Sequence, residues 1–118
     1  MPTTNIYALC EPGTLTVRYV GITKHTIEQR AEDHYSRAMI YPESLKEFWI
    51  VQLAKSGQRP DCILLTTCSS DMARKVEKAW ILLFIDNGYD MLNVMSCNGK
   101  GQKRLTRNTR PFLTVESA

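Results

Sequence analysis

Two runs rich in β-branched and aromatic residues, Asn5 to Cys10 and Thr16 to Gly21, flank Glu11-Pro12-Gly13-Thr14, and that punctuation limits the fold more than any other feature of the chain. Proline presets φ for a turn and glycine accepts positive φ, so the tetrapeptide folds the chain back and the two runs pair as a hairpin. A turn centred on Gly13 sets Cys10 opposite Thr16 and Tyr7 opposite Tyr19. Whatever follows must cover this hairpin with an apolar face.

The cover is legible. Thr26 with Gln29 forms a capping box, and Ile27, Ala31, His34 and Ala38 recur at helical spacing, so a helix is expected from about Ile27 to Met39, closed by Tyr41-Pro42. Ser44 with Glu47 opens a second helix through Trp49, Ile50 and Leu53, ending at Gly57 before Arg59-Pro60 breaks the chain. Asp61 to Cys68 is a short apolar run between a proline and a Ser-Ser-Asp cluster, which reads as a buried central strand. A third helix follows, capped by Ser70 or Ser69, with a core stripe of Met72, Val76, Ala79, Trp80 and Leu83 and a stop at Gly88. Leu92-Asn93-Val94 resumes an extended segment. The order strand, strand, helix, helix, strand, helix gives an α+β fold, a small antiparallel or mixed three-stranded central sheet flanked by helices.

At 118 residues the chain holds one core. No run of about 18 or more apolar residues occurs, and Met1 to Asn5 lacks the basic and apolar regions of a signal peptide, so a soluble cytoplasmic protein without a membrane is expected. Cys10, Cys62, Cys68 and Cys97 are scattered and the histidines are His25 and His34, a pattern that fits reduced thiols better than zinc. The charge is uneven. Lys100, Lys103, Arg104, Arg107 and Arg110 stand against Glu116 alone, so residues 99–118 form a basic C-terminal tail after a domain spanning residues 1–98.

Some residues do not behave like structure. At about 100° per residue, His34 falls in the middle of the apolar face of the first helix, with Arg30 beside it. Either residue alone reads better as an ordinary core histidine or a snorkelling arginine. On the third helix Glu77 lies about 20° from Phe84 and about 40° from Ala73 and Ile81, at the margin of the apolar stripe, where an unpaired carboxylate is costly to bury. A partly solvated glutamate explains it equally well. Tyr7 and Tyr19, taken alone, are a cross-strand aromatic pair. Gly21 at the end of the second strand suggests close backbone approach or positive φ. The balance shifts because two phenols, an arginine, a histidine and a glutamate are expected to converge on one side of one small sheet.

Asn5-Ile6-Tyr7, Tyr19-Val20-Gly21, Arg30 and His34 on the next helix, Glu77 on a later helix and Leu92-Asn93 after it resemble the successive motifs of the GIY-YIG nuclease family. The resemblance covers Asn5 to about Gly101. Asn5 replaces glycine in the first motif and Val20 replaces isoleucine in the second, neither a position that supplies chemistry. The resemblance implies a metal-dependent DNA endonuclease with Tyr7 as general base, Tyr19 orienting water or phosphate, Arg30 on the phosphate and Glu77 holding one Mg2+ or Mn2+ ion. His34 is then a proton relay or the hydrogen-bond partner of Tyr7, and Asn93 a buttress.

Such chemistry suits these residue types. Magnesium keeps most of its waters and often takes only one or two carboxylates, and a guanidinium fork matches phosphate oxygens. The basic tail reads equally as a phosphate-tracking arm and as a solvated tail. The competing expectations are a non-catalytic nucleic-acid-binding adaptor of the same fold and a nuclease subunit targeted by a partner or acting as a homo-oligomer. The small size favours a phage or mobile-element source, hence a bacterial or phage-infected cell.

Overall fold

A computed structural model of the chain describes residues 2–93. Strands β1 (Thr3–Cys10) and β2 (Val17–Thr23) are followed by helices α1 (Ile27–Ile40) and α2 (Leu45–Lys55), strand β3 (Asp61–Ser69) and helix α3 (Ala73–Asp86). The architecture is α+β, and the three strands form one antiparallel sheet in the order β2-β1-β3. None of the helices among the described residues is long and apolar enough to cross a membrane. The division into a domain and a tail at residue 98 lies outside the described residues.

The helix starts follow the sequence closely. Thr26 accepts the Gln29 amide, and Ser44 and Glu47 form a reciprocal capping box, each such cap contributing about 1 kcal/mol. The hairpin is less simple. Glu11 N donates to Thr16 O at 3.0 Å and Gly13 adopts φ 77°, so the reversal spans residues 11–16 rather than a tight turn on Gly13. Tyr7 is therefore opposite Gly21, and Tyr19 opposite Leu9. The slip from the expected pairing is an even number of residues, so both tyrosines keep their face of the sheet; an odd slip would have inverted them.

Two other expectations fail. β3 is an edge strand, and β1 is the central one, buried along nearly its whole length. No residue of β3 is fully buried and Leu64 is exposed; a short apolar run carries no information about a strand's rank in the sheet or about what covers its faces. The start of α3 also differs: Met72 occupies the N-cap without a side-chain bond, because Ser70 Oγ is engaged with Thr4 Oγ1 at 2.7 Å, tying the end of β3 to β1. The buried stripe turns accordingly. Ala73 and Ile81 are buried and Val76, Trp80, Phe84 and Ile85 pack beside them, whereas Met72, Ala79 and Leu83 are exposed. Residues 79–85 are apolar almost all round, so docking selects the face that periodicity leaves open.

Alternation along β1 splits the molecule into two layers. Ile6, Ala8 and Cys10 join Val17, Val20, Ala73, Ile81 and Met91 in the core beneath α3. Tyr7 and Leu9 point the other way, toward α1 and α2, where His34, Ala38 and Ile50 are buried.

Candidate functional site

The α1 face of the sheet is where the polar groups meet. Tyr7 is fully buried, and its hydroxyl lies 2.6 Å from His34 Nε2, while Arg30 Nε donates to the same oxygen at 3.3 Å. A bulge in the β1–β3 pairing falls between Ile6 and Tyr7, a place where bulges commonly re-aim a side chain. The Tyr19 ring packs edge-on to His34 at 5.5 Å and lies 6.5 Å from the Tyr7 ring. Room for this cluster comes from Gly21. A Cβ there would lie 2.6 Å from Tyr7 Cζ and still closer to the hydroxyl, and its φ is not positive, so the glycine serves close approach rather than backbone freedom.

The electrostatics follow from burial. Burial, and then the Tyr19 phenol, raise the Tyr7 pKa well above the ordinary phenol range, against a lowering effect of the Arg30 hydrogen bond and charge. Tyr19 is also raised, first by burial and then by the Glu77 charge. His34 is pushed down to about 3 by burial and by Lys46, Arg30 and Arg37, so it is neutral at physiological pH.

Glu77 comes from the other layer. The expected convergence on one side of the sheet holds for the tyrosines, Arg30 and His34 but not for the helix that carries Glu77, which packs on the opposite face. The half-buried Glu77 carboxyl has its pKa raised by burial, offset in part by Arg74, and its charge bears on Tyr19 at the edge strand. Among the described residues no cation is ion-paired with it, and no three His, Cys, Asp or Glu side chains group as a metal cluster. Of the sequence-predicted site residues Glu77 is the one carboxylate, so it is the side chain that could hold a hard divalent ion that keeps most of its own waters.

Asn93 bridges the backbone of Val20, accepting from its N–H at 2.9 Å and donating to its C=O at 2.8 Å. It thus clamps the residue between Tyr19 and Gly21. Asn5 spans His25 O and Thr67 Oγ1, fixing the start of β1. Lys46 is the member that the sequence reading missed. Its Nζ lies 3.1 Å from His34 Nδ1 and 4.8 Å from the centre of the Tyr19 ring. It is one of two polar residues just inside the α2 cap, and nothing in the helical pattern separates it from a solvated lysine. The tail residues Lys100, Lys103, Arg104, Arg107 and Arg110 lie outside the described residues.

Comparison with family models, with curated proteins and with solved structures returns no significant match for this chain.

Proposed function

We propose that the chain is a metal-dependent endonuclease of the GIY-YIG type that hydrolyses phosphodiester bonds in DNA. The observation that carries this reading is the hydroxyl of Tyr7 held between His34 Nε2 and Arg30 Nε, on a strand paired with the glycine that makes room for it. A buried polar network can also serve to rigidify a core, and what favours chemistry here is that Arg30, one-third exposed, stands beside the shared oxygen.

In this reading Tyr7, as phenolate, takes a proton from the attacking water, whose oxygen bonds to phosphorus as the bond from phosphorus to the leaving deoxyribose oxygen breaks. Arg30 is one-third exposed and turns its fork to the non-bridging oxygens. Tyr19 orients the water or phosphate beside His34, and Asn93 holds Val20, the residue between Tyr19 and Gly21. Glu77 would hold the Mg2+ or Mn2+ ion, which would supply positive charge to stabilise the leaving oxygen.

A second reading, an adaptor that binds nucleic acid without cutting it, draws on the complete burial of Tyr7, which in the free protein keeps its hydroxyl from water. Supercoiled plasmid separates the two. The nuclease converts it to nicked or linear DNA with magnesium or manganese and not with chelator, and Glu77→Gln abolishes conversion while the protein still melts cooperatively. Plasmid left supercoiled under all conditions, with binding intact in a mobility shift, establishes the adaptor.

A further inference from the structure

The proton count around His34 leads one step further and rests on the reading of Tyr7 as the group that handles the proton. Neutral imidazole has one N–H and one lone pair, so of its two ring nitrogens one donates and the other accepts. Both nitrogens of His34 are occupied, Nε2 by the Tyr7 hydroxyl at 2.6 Å and Nδ1 by Lys46 Nζ at 3.1 Å. An ammonium has three donors and no lone pair. Burial, Arg30 and Arg37 lower the proton affinity of Lys46 below that of an ordinary lysine, against the raising effect of the Glu47 carboxylate, while the Tyr19 ring face 4.8 Å from Nζ favours the ammonium form. The groups that face His34 are thus Tyr7 from β1, Tyr19 from β2, Arg30 and Arg37 from α1 and Lys46 from α2.

With Lys46 donating to Nδ1, the single ring proton must sit on Nε2. We propose that Lys46 is a positioning residue that locks His34 in its Nε2–H tautomer, so that His34 donates to the Tyr7 oxygen and does not receive the proton of Tyr7. The Tyr7 oxygen then accepts from His34 Nε2–H and Arg30 Nε–H together, and its own hydrogen is bonded to neither nitrogen. Two N–H donors on one phenolic oxygen stabilise the phenolate, as an oxyanion hole does. The histidine is thereby a fixed donor and not a relay, and its partner Lys46 acts on Tyr7 without touching it.

Ring-labelled histidine in the full chain tests this by NMR, with His34→Gln assigning the two histidine signals. The expected result is a His34 proton on Nε2 in the wild type, loss of that single tautomer in Lys46→Met, and its return in Lys46→Arg. A wild-type proton on Nδ1, or an unchanged Nε2–H signal in Lys46→Met, overturns the proposal, and the wild-type spectrum decides even if the methionine variant does not fold. On plasmid, Lys46→Met should lower kcat by roughly tenfold or more with KM unmoved, and its rate should need higher pH. Should the wild type cut no DNA while the tautomer is as expected, the nuclease reading fails and the assignment of Lys46 stands.

Discussion

Replacing Gly21 with alanine puts a single methyl group where the structure has none to spare. The new Cβ would lie 2.6 Å from Tyr7 Cζ, and ordinary contact begins at 3.4 Å. The ring must therefore recede by about 0.8 Å, or β1 and β2 must spread by as much. Neither yields easily, because Tyr7 is fully buried on the central strand and its hydroxyl is held by His34 and Arg30. Overpacking of this kind costs about 1–3 kcal/mol, which for a domain of this size lowers Tm by roughly 5–20 °C. Activity should fall by about 10²-fold, since a displacement near an ångström at a reacting group has that effect. Paired thermal melts and plasmid assays measure both. A Tyr7→Leu background removes the obstructing hydroxyl and Cζ, so the alanine should cost far less there, a coupling that a double-mutant cycle reads directly. An alanine variant as stable and as active as the wild type would refute the close-approach argument and with it the placement of the Tyr7 hydroxyl.

The remaining predictions concern the same cluster and the tail. Tyr7→Phe should lower the plasmid-cutting rate by roughly 10²-fold or more and cost about 1–3 kcal/mol in a denaturant melt, because buried His34 Nε2 loses its partner; Tyr19→Phe should cost less of both. The His34 pKa lies at about 3 in the folded protein and near 6.5 unfolded, so its contribution to stability is complete above pH 6.5 and is lost as pH falls toward 3. Denaturant melts should follow it at roughly 1.4 kcal/mol per pH unit, and His34→Gln should remove that slope while leaving the opposite contribution of Glu77, whose raised pKa makes stability fall as pH rises through it. Truncation after Asn98 should flatten the salt dependence of duplex binding by about 0.9 in log-log slope per lost phosphate contact, and an unchanged slope would show that the tail does not touch DNA.

What was legible in the sequence was whatever is encoded over a few neighbouring residues. Thr26 with Gln29 and Ser44 with Glu47 announce their helices because caps are local chemistry, and the marginal position of Glu77 follows from helical geometry alone. The faces of Tyr7 and Tyr19 were legible too, since they depend on strand parity, while their partners were not, because register is set by the 11–16 reversal and the bulge at Leu9/Cys10. The rank of β3 at the sheet edge is a long-range outcome, as is the face on which α3 docks. Lys46 escaped for a related reason. Its role depends on the α1–α2 packing that brings it to His34, and a lysine on a helix gives no periodic signal of what it will meet.

The Asn93 clamp has a consequence for how these molecules behave in a crowd. β2 is an outer strand of the sheet, and an outer strand with bare N–H and C=O groups is a template on which another chain can add. Leu92 N donates to Arg18 O at 2.6 Å, and the Asn93 amide occupies both backbone groups of Val20, so a short stretch of chain imitates a fourth strand along that margin. Asn93 thus covers the backbone of Val20 on an outer strand, where bare N–H and C=O groups would otherwise be offered to another chain.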